Sequence, residues 1–299
     1  MAMEIVPFKG WKHNVRLSNR EVELIVTQDV GPRVVRFGFV DKANMFAEYT
    51  AQQGKAGEKE WMIRGGHRLW VGPEKKPDTY ELDNGPVEIR KAGDGILTVQ
   101  PPGPISKVQK TMRITLDPRR NRVTVVHGLK NTSRKVVTLA PWALSVMAPG
   151  GMAVIPLPEK LPHTKSLRHN QEWSIWSYTE LNDPRWTFGA RYVFFRQDRN
   201  KGPAKLGVAH KVGWVAYQLE DCVFVKRFGW EEGKKYPDGG VNFETFSNQD
   251  MLEVESLGPL ISLKPGASAR HTEVWDLFRK VPRVKTEADA DKYIRPLAG

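Results

Sequence analysis

The chain has 299 residues, with 46 Lys and Arg against 34 Asp and Glu, one Cys and ten Trp. Its length supports a hydrophobic core without disulfides or metals, and 27% charged with 40% hydrophobic residues is typical of a globular protein. No apolar run is long enough to span a membrane, and the first residues lack the charged-then-apolar pattern of a secretory signal, so we expect a cytoplasmic protein with no membrane partner.

The formal net charge of +12 raises the question of a nucleic-acid partner. Basic residues are spread along the whole chain, and the two densest groups span 118–122 and 279–285. Neither group belongs to a zinc finger, a basic region followed by heptads or an aromatic RNA-binding motif. We interpret the charge as a solvated basic surface and expect no nucleic-acid partner, with weak polyanion binding as the alternative.

Short runs with a period of two residues predict β-strands along the chain. In the first half they cover residues 21–27, 33–39, 87–90, 96–100, 110–116 and 122–129. In the second half they cover residues 191–195, 213–219, 222–228, 241–246, 251–257 and 269–277. Turn signals rich in Gly, Pro, Asn and Asp separate these runs, as in Asp83-Asn84-Gly85-Pro86.

Helical patterning is sparse. The best candidate runs from Thr286 to Ile294, where Thr286 and Asp289 have the spacing of a capping box and Pro296 is expected to end the run. A Pro-rich stretch over 148–162 is expected to cross between layers. Strand number and length together predict an all-β fold: one large antiparallel β-sandwich with little helix, formed by residues 1–299 as a single domain.

The first segment that could carry chemistry is Ile63–Glu74, which contains a Gly-Gly pair. Paired glycines allow a close approach of the backbone to a ligand or to a neighbouring strand. Arg64, His67 and Arg68 surround them with hydrogen-bond donors, and Trp70 could stack on an apolar ligand face. The alternative is a glycine bulge with Arg at a solvated edge and Trp in the core.

A second segment places carboxylates on two predicted strands. Glu244 lies in the strand over 241–246, and Glu253 and Glu255 share one face of the next strand. A buried carboxylate is costly unless it is hydrogen-bonded or used, and its pKa rises towards that of a general base. These side chains could instead simply point to water.

The third segment is aromatic, with Trp142 in one strand and Trp173, Trp176 and Tyr178 further along. Aromatic rings hold the apolar faces of sugars, although they are equally common in cores. The seven His residues show no spacing typical of metal ligands, and no P-loop, dinucleotide fingerprint or nucleophile elbow occurs, so we expect neither a metal nor a cofactor.

These residues resemble the galactose mutarotase-like, or aldose 1-epimerase-like, superfamily, with similarity running nearly end to end. Arg64-Gly65-Gly66 resembles the Arg-Gly-Gly of hexose-6-phosphate epimerase relatives, and Phe243-Glu244-Thr245 is similar to the segment that holds the catalytic base, with Leu263-Lys264-Pro265-Gly266 following. More closely, the chain is similar to a branch with Gly-Gly-His-Arg-Leu-Trp near residue 65 and Glu-Ser-Leu-Gly-Pro near residue 255. The resemblance implies a β-supersandwich whose concave face binds a small-molecule carbohydrate.

The resemblance also implies roles for individual residues. In such epimerases a Glu takes the proton of the anomeric hydroxyl and a His protonates the ring oxygen. Glu244 matches the base, with Glu255 as its competitor, whereas Trp142 stands where the acid His is expected. A Trp indole donates hydrogen bonds but cannot transfer a proton at neutral pH, which leaves His67 as the candidate acid.

If the chain is such an enzyme, we expect a set of residues rich in Arg and aromatic rings to bind the substrate. They are Arg64, Arg68, Trp70, Trp142, Tyr178 and Lys205. Lys205 could add positive charge for an acidic sugar. Because the acid His is replaced by Trp142, a non-catalytic carbohydrate-binding protein on the same fold is the alternative.

Overall fold

In the structure, a computed structural model that describes residues 2–299, the chain forms two large antiparallel β-sheets packed face to face. This arrangement confirms the predicted all-β sandwich. Within the described residues, no helix is both long enough and apolar enough to cross a membrane.

The first sheet contains 11 strands, numbered along the chain, in the spatial order β1-β2-β3-β4-β5-β10-β19-β18-β15-β12, and β20 pairs with β10 at its side. Its strands are β1 (Ala2–Phe8), β2 (Trp11–Ser18), β3 (Val22–Thr27), β4 (Arg33–Phe39), β5 (Gly66–Gly72), β10 (Val137–Met147), β12 (Trp173–Ile175), β15 (Ala204–Val208), β18 (Phe243–Ser247), β19 (Leu252–Leu257) and β20 (Ile261–Leu263).

The second sheet contains ten strands in the order β13-β14-β11-β16-β17-β21-β9-β8-β7-β6. Its strands are β6 (Glu88–Ala92), β7 (Gly95–Val99), β8 (Val108–Leu116), β9 (Arg122–Asn131), β11 (Met152–Pro156), β13 (Trp186–Phe188), β14 (Tyr192–Arg196), β16 (Trp214–Leu219), β17 (Cys222–Phe228) and β21 (Ser268–Phe278). The strands that the sequence patterns did not predict are β1, β2, β5, β12, β13, β15 and β20, and the Pro-rich stretch contains β11.

The main hydrophobic core lies between the sheets. Phe37 of β4 and Phe46 of the loop after β4 pack there against Phe224 and Trp275 of the second sheet. Successive side chains of a strand point to opposite faces of its sheet. On β5, Leu69 therefore joins this inner core, whereas Trp70 joins a separate aromatic cluster on the outer face of the first sheet.

The helical prediction is confirmed at its start. Thr286 caps α1 (Glu287–Asp289) in a capping box with Asp289. A π-helical turn (Ala290–Ile294) and α2 (Arg295–Ala298) continue the segment, so Pro296 does not end it. Pro296 lies in the first turn of α2. Backbone N–H groups in a first turn make no hydrogen bond within the helix, so a proline, which has no N–H, is tolerated there.

Candidate functional site

A pocket of about 230 Å³ opens on the outer face of the first sheet, over its central strands. Strand pairing places its residues side by side: Trp142 of β10 lies opposite Trp70 of β5, and Glu255 of β19 lies opposite Glu244 of β18. The predicted residues that line the pocket are Arg68, Trp70, Trp142, Tyr178 and Lys205.

An ion cluster forms the floor below the pocket. The Lys205 ammonium lies 2.5 Å from Glu244 Oε2 and 3.4 Å from Glu255 Oε2. Trp142 Nε1 donates a hydrogen bond of 2.9 Å to the same Glu255 oxygen. The two glutamate side chains are fully buried, and Lys205 and Trp142, which contact them, line the open volume instead.

Burial sets the protonation behaviour of this floor. Loss of solvation raises the pKa of Glu255 to about 7 and the pKa of Glu244 well above its usual value, with Lys205 opposing both shifts. Burial also acts against the charged form of Lys205, but the two glutamates outweigh it and raise the pKa of the ammonium. The cluster thus keeps a lysine cation and favours a proton on Glu244.

Some floor atoms lack partners. Among residues 2–299, no hydrogen-bond partner reaches Oε1 of Glu244 or Oε1 of Glu255, whereas the Oε2 atom of each faces the Lys205 ammonium. A buried carboxylate oxygen without a donor is costly. Such atoms are therefore acceptors available to the hydroxyl groups of a ligand or to water.

The pocket wall combines a second ion pair with aromatic rings that pack edge-to-face. Arg68 Nη2 donates to Glu253 Oε1 at 2.9 Å, and the guanidinium lies 4.4 Å from the centre of the Trp70 ring. Its Nε and Nη1 are buried without a partner in the part of the chain that the structure describes. Trp61 and Tyr80 pack edge-on against this aromatic wall. Arg68 therefore keeps N–H groups available for a ligand.

A loop after β12 closes one side of the pocket. The Thr179 hydroxyl donates to the Lys205 carbonyl at 2.7 Å and accepts from the Lys205 N–H at 2.8 Å, which holds the loop beside β15. The Lys205 ammonium then lies between the rings of Trp142 and Trp176, 4.7 and 4.6 Å from their centres. Tyr178, which is 46% exposed, completes this side, and partial desolvation raises its pKa to about 12.

Arg64 lies outside the pocket, in contrast to its predicted role in substrate binding. Its guanidinium is fully buried and donates to the carbonyls of Gln52 and Lys55, each at 2.9 Å, and to Asn84 and Glu58. These bonds fasten the segment before β5 rather than a ligand. The glycines that follow serve the same packing, since a Cβ on Gly66 would lie 2.3 Å from the Val34 carbonyl oxygen.

His67 also lies away from the pocket, because it is the neighbour of Arg68 on β5 and points into the sandwich. It is fully buried, with Nδ1 2.9 Å from Ser145 Oγ and Nε2 2.7 Å from His127 Nε2. Burial, together with the Lys226 cation, lowers its pKa well below the usual value. It is not placed to protonate a ring oxygen in this pocket, which corrects the assignment made from the sequence.

The hydrogen bonds around His67 define its tautomer. His127 Nδ1 faces the His271 carbonyl oxygen at 3.1 Å and must carry a hydrogen. Neutral His127 therefore accepts at Nε2 from the Nε2–H of His67, and His67 Nδ1 accepts from the Ser145 hydroxyl. Each of these buried groups has a partner.

Glu273 completes this interior cluster. It accepts from Lys226 at 2.8 Å, from Ser256 at 2.6 Å and from Trp275 at 2.8 Å. His67, His127 and Glu273 are close enough in space to resemble a metal-ligand set. A dication there would meet the Lys226 ammonium already bound to Glu273, so the donors fit an internal salt bridge better than a metal.

The sequence interpretation missed several pocket residues. Glu253 was noted only as sharing a face with Glu255, and nothing marked its pairing with Arg68. Trp61, Glu74 and Tyr80 come from irregular segments on either side of β5, where no strand period indicates a face. Their cue was composition alone, since each is an aromatic or carboxylate residue near the Arg-rich segment.

Comparison with solved structures identifies the class of fold. A candidate aldose 1-epimerase from Escherichia coli K12 aligns with 88% of this chain and 98% of its own at 12% identity and a TM-score of 0.58. A galactose mutarotase-like protein from Lactobacillus casei aligns with 89% of this chain and 100% of its own at 10% identity, also with a TM-score of 0.58. No protein-family model and no curated protein matches the sequence.

The architecture is therefore the galactose mutarotase-like β-sandwich, and the resemblance seen in the sequence is confirmed at the level of the fold. A galactose mutarotase related enzyme from Lactobacillus acidophilus agrees, covering 91% of this chain and 100% of its own at 9% identity and a TM-score of 0.53. Identities this low establish the fold alone, so function has to be argued from the pocket.

Proposed function

We propose that the pocket binds a monosaccharide or a close derivative and that the chain interconverts its anomers. One observation carries this proposal: two buried carboxylates, Glu244 and Glu255, have oxygen atoms without donors directly below an aromatic-walled pocket. Hydroxyl groups of a sugar would supply those donors, and the apolar faces of a pyranose ring suit Trp70 and Trp142.

The glutamate pair provides both proton-transfer roles. Glu255, with a pKa of about 7, is suited to take the proton of the anomeric hydroxyl near neutral pH. Glu244, whose pKa is raised well above its usual value, is suited to give a proton to the ring oxygen as the bond from that oxygen to the anomeric carbon breaks. The open-chain aldehyde then rotates and closes on the other face, with the proton transfers reversed.

Charge balance favours an uncharged sugar over an anionic one. Lys205 is neutralised by the floor glutamates and Arg68 by Glu253, while Glu74 adds another carboxylate to the pocket lining. An incoming phosphate or carboxylate would meet no unpaired cation. The basic residues expected from the sequence to favour an acidic sugar thus serve mainly as internal partners. A cytoplasmic location stays a prediction.

Anomer exchange tests the proposal directly. Magnetisation-exchange NMR with a panel of neutral aldoses is expected to show faster interconversion, and Glu255→Gln or Glu244→Gln should slow it by about 100-fold or more. Glu88→Gln is the matched control, since Glu88 is exposed on β6 in the other sheet. Unchanged exchange for both floor variants would contradict the assignment of the pair.

Binding without catalysis is the second candidate, favoured by one specific observation. Lys205 and Trp142 lie over the two glutamates, whose side chains have no exposed surface. Unless the lysine moves aside, a sugar meets Arg68, Glu253 and the aromatic wall only. Saturable sugar binding by calorimetry, with no exchange above background, would establish this function, and Arg68→Gln should then weaken binding.

A further inference from the structure

A second, larger cavity lies on the side of the ten-stranded sheet, away from the sugar pocket. It has a volume of about 760 Å³ and is joined to a neighbouring cavity of about 330 Å³, since both are lined by Gly150, Arg196 and Gln197. Together they form one groove between the ends of β11, β14 and β16 and the segment that follows β21. We call it the basic groove.

The wall of the basic groove is one of the two dense basic segments noticed in the sequence. Residues 281–285 form an irregular segment anchored by Gln218, which donates to the Pro282 carbonyl at 2.9 Å and accepts from the Val284 N–H at 2.8 Å. Val281 and Val284 are buried against the sheet. Arg283 and Lys285 consequently project at the exposed rim on a fixed backbone.

The floor of the basic groove is also built before any ligand arrives. The Gln197 amide accepts from the Gly150 N–H at 2.8 Å and donates to the carbonyls of Asn248 and Gln249. Gln197 thereby fixes the turn before β11 to the end of β14, beside Arg196. A preformed groove loses little conformational entropy when a ligand binds.

Cations without a carboxylate partner among the described residues converge on this groove. Within residues 2–299, no carboxylate forms an ion pair with Arg196, Arg199, Arg283 or Lys285, all of which line it. Arg185 is buried beside them, and its Nη1 has no hydrogen-bond partner among the same residues. Its other guanidinium nitrogens are held by Asp183.

Acidic residues offset only part of this charge, because two of the three lining carboxylates, Asp198 and Glu220, have no ion-pair partner among residues 2–299, against the four cations above. Asp198, Glu220 and Asp221 line the groove, and Asp221 is paired with Lys42 at 3.1 Å. The other dense basic group, 118–122, is a useful contrast because it lies at the turn between β8 and β9 and lines neither of these cavities. Of the two basic groups, the one over 279–285 thus contributes residues to this groove.

We infer that the basic groove binds a small ligand carrying linked phosphate groups, an oligophosphate. Planar guanidinium groups match phosphate oxygens with paired hydrogen bonds, and several of them along a groove match a chain of phosphates better than a single anion. The groove is separate from the sugar pocket, whose cations already have internal carboxylate partners. The protein would therefore hold a polyanion and a sugar on different sheets.

Calorimetric titration of the full chain with inorganic tripolyphosphate tests this inference. Arg196→Gln, Arg283→Gln and Lys285→Gln combined should weaken binding by about tenfold or more, because charge-assisted hydrogen bonds are lost. The matched control combines Arg119→Gln, Arg120→Gln and Arg134→Gln, which removes the same net charge from exposed positions outside the groove. Urea unfolding of both triple variants checks that they remain folded.

The outcomes distinguish binding at the basic groove from non-specific attraction by the positive charge of the whole surface. Retained binding in the control and lost binding in the groove variant support the oligophosphate site. No binding of tripolyphosphate at low salt, or equal weakening in both variants, overturns it. Single-stranded RNA and poly-glutamate are run in parallel: tighter binding of RNA than of tripolyphosphate by the groove would assign it to nucleic acid, and equal binding of poly-glutamate would remove phosphate selectivity.

Discussion

Two buried polar clusters lie on opposite faces of the same strands and differ in how completely their atoms are paired. On the inner face, His67, Ser145 and Ser256 join the cluster around Glu273, whose side-chain N and O atoms have partners among the described residues. On the outer face, the floor glutamates and Arg68 keep atoms without partners. Neighbouring residues along β5 and β19 thus belong to different clusters, one with all its polar atoms paired and one with some of them unpaired within residues 2–299.

The difference indicates which cluster faces a ligand. A fully satisfied buried network specifies packing, because any foreign group would have to replace bonds already made. Burying polar atoms without hydrogen-bond partners costs free energy, and natural proteins retain such atoms mainly at sites that bind a ligand or react. The inner cluster is therefore interpreted as structural and the outer cluster as functional, and the following experiments can break that distinction.

The largest effect is expected from Lys226→Met in the inner cluster. It leaves Glu273 buried without its cation, which costs about 3–5 kcal/mol of unfolding free energy. Urea unfolding measures the change. Adding Glu273→Leu should recover part of the loss, since the uncompensated charge is then gone. A single variant as stable as the parent would mean that the inner cluster is not the structural one.

The corresponding change in the outer cluster is expected to be nearly neutral for stability. Glu244→Gln keeps an oxygen acceptor for Lys205 and leaves Glu255 as the carboxylate partner of that lysine, so unfolding free energy should change by less than about 1 kcal/mol. Glu273→Gln, made in parallel, should cost more, because its oxygens accept three charged or neutral donors. Equal costs for both variants would remove the contrast.

The clusters should also respond to pH in opposite directions. Burial lowers the pKa of His67 and His127 and lowers that of His271 to about 3, so the unfolded chain takes up protons below about 6.5 while the folded chain does not. Stability from these groups is complete above that pH and falls with acidification. Glu255, with its pKa raised to about 7, binds its proton in the folded state and opposes the fall.

Removing the outer carboxylates should therefore steepen the acid sensitivity. For Glu244→Gln combined with Glu255→Gln, we expect the loss of unfolding free energy between neutral and mildly acidic pH to exceed that of the parent by about 1 kcal/mol per pH unit. Urea unfolding at the two pH values measures it. Parallel curves for the two proteins would show that the glutamates titrate normally.

The fold was accessible from the sequence because sandwich strands leave a local signature. The alternating run over 33–39 coincides with β4, and the capping box at Thr286 appears where its spacing predicts. Edge strand β1 was missed because its residues are largely exposed and carry a weak pattern, and the turn around Lys9 and Gly10 separates it from β2, whose residues are mostly buried.

The site was only partly accessible, for a geometric reason. A period of two shows that His67 and Arg68 face opposite ways but not which way is outward, since both faces of the central strands are buried. Arg64 looked equally available, yet its partners come from a segment 6 to 12 residues earlier and from Asn84, contacts that no local pattern encodes.

The smallest expected effect tests the link between the aromatic wall and the floor. The Trp142 indole donates to Glu255, and a hydrogen bond to the charged form lowers a carboxyl pKa. Trp142→Phe keeps an aromatic ring but removes that donor, so the titration midpoint should move upwards from about 7 by less than about one unit. Carboxyl ¹³C NMR of Glu-labelled protein measures this without relying on any sugar.

Trp70→Phe is the matched control for that titration. The Trp70 ring centre lies 5.3 Å from that of Trp142, but Trp70 has no hydrogen bond to Glu255. The midpoint belongs to Glu244, Lys205 and Glu255 as a coupled group, so both carboxyl signals should move together. If the midpoint moves in Trp70→Phe but not in Trp142→Phe, the packing of the rings, rather than the indole hydrogen bond, controls the pKa of Glu255. The outer cluster would then lose the indole as the group that keeps Glu255 able to act as a base near neutral pH.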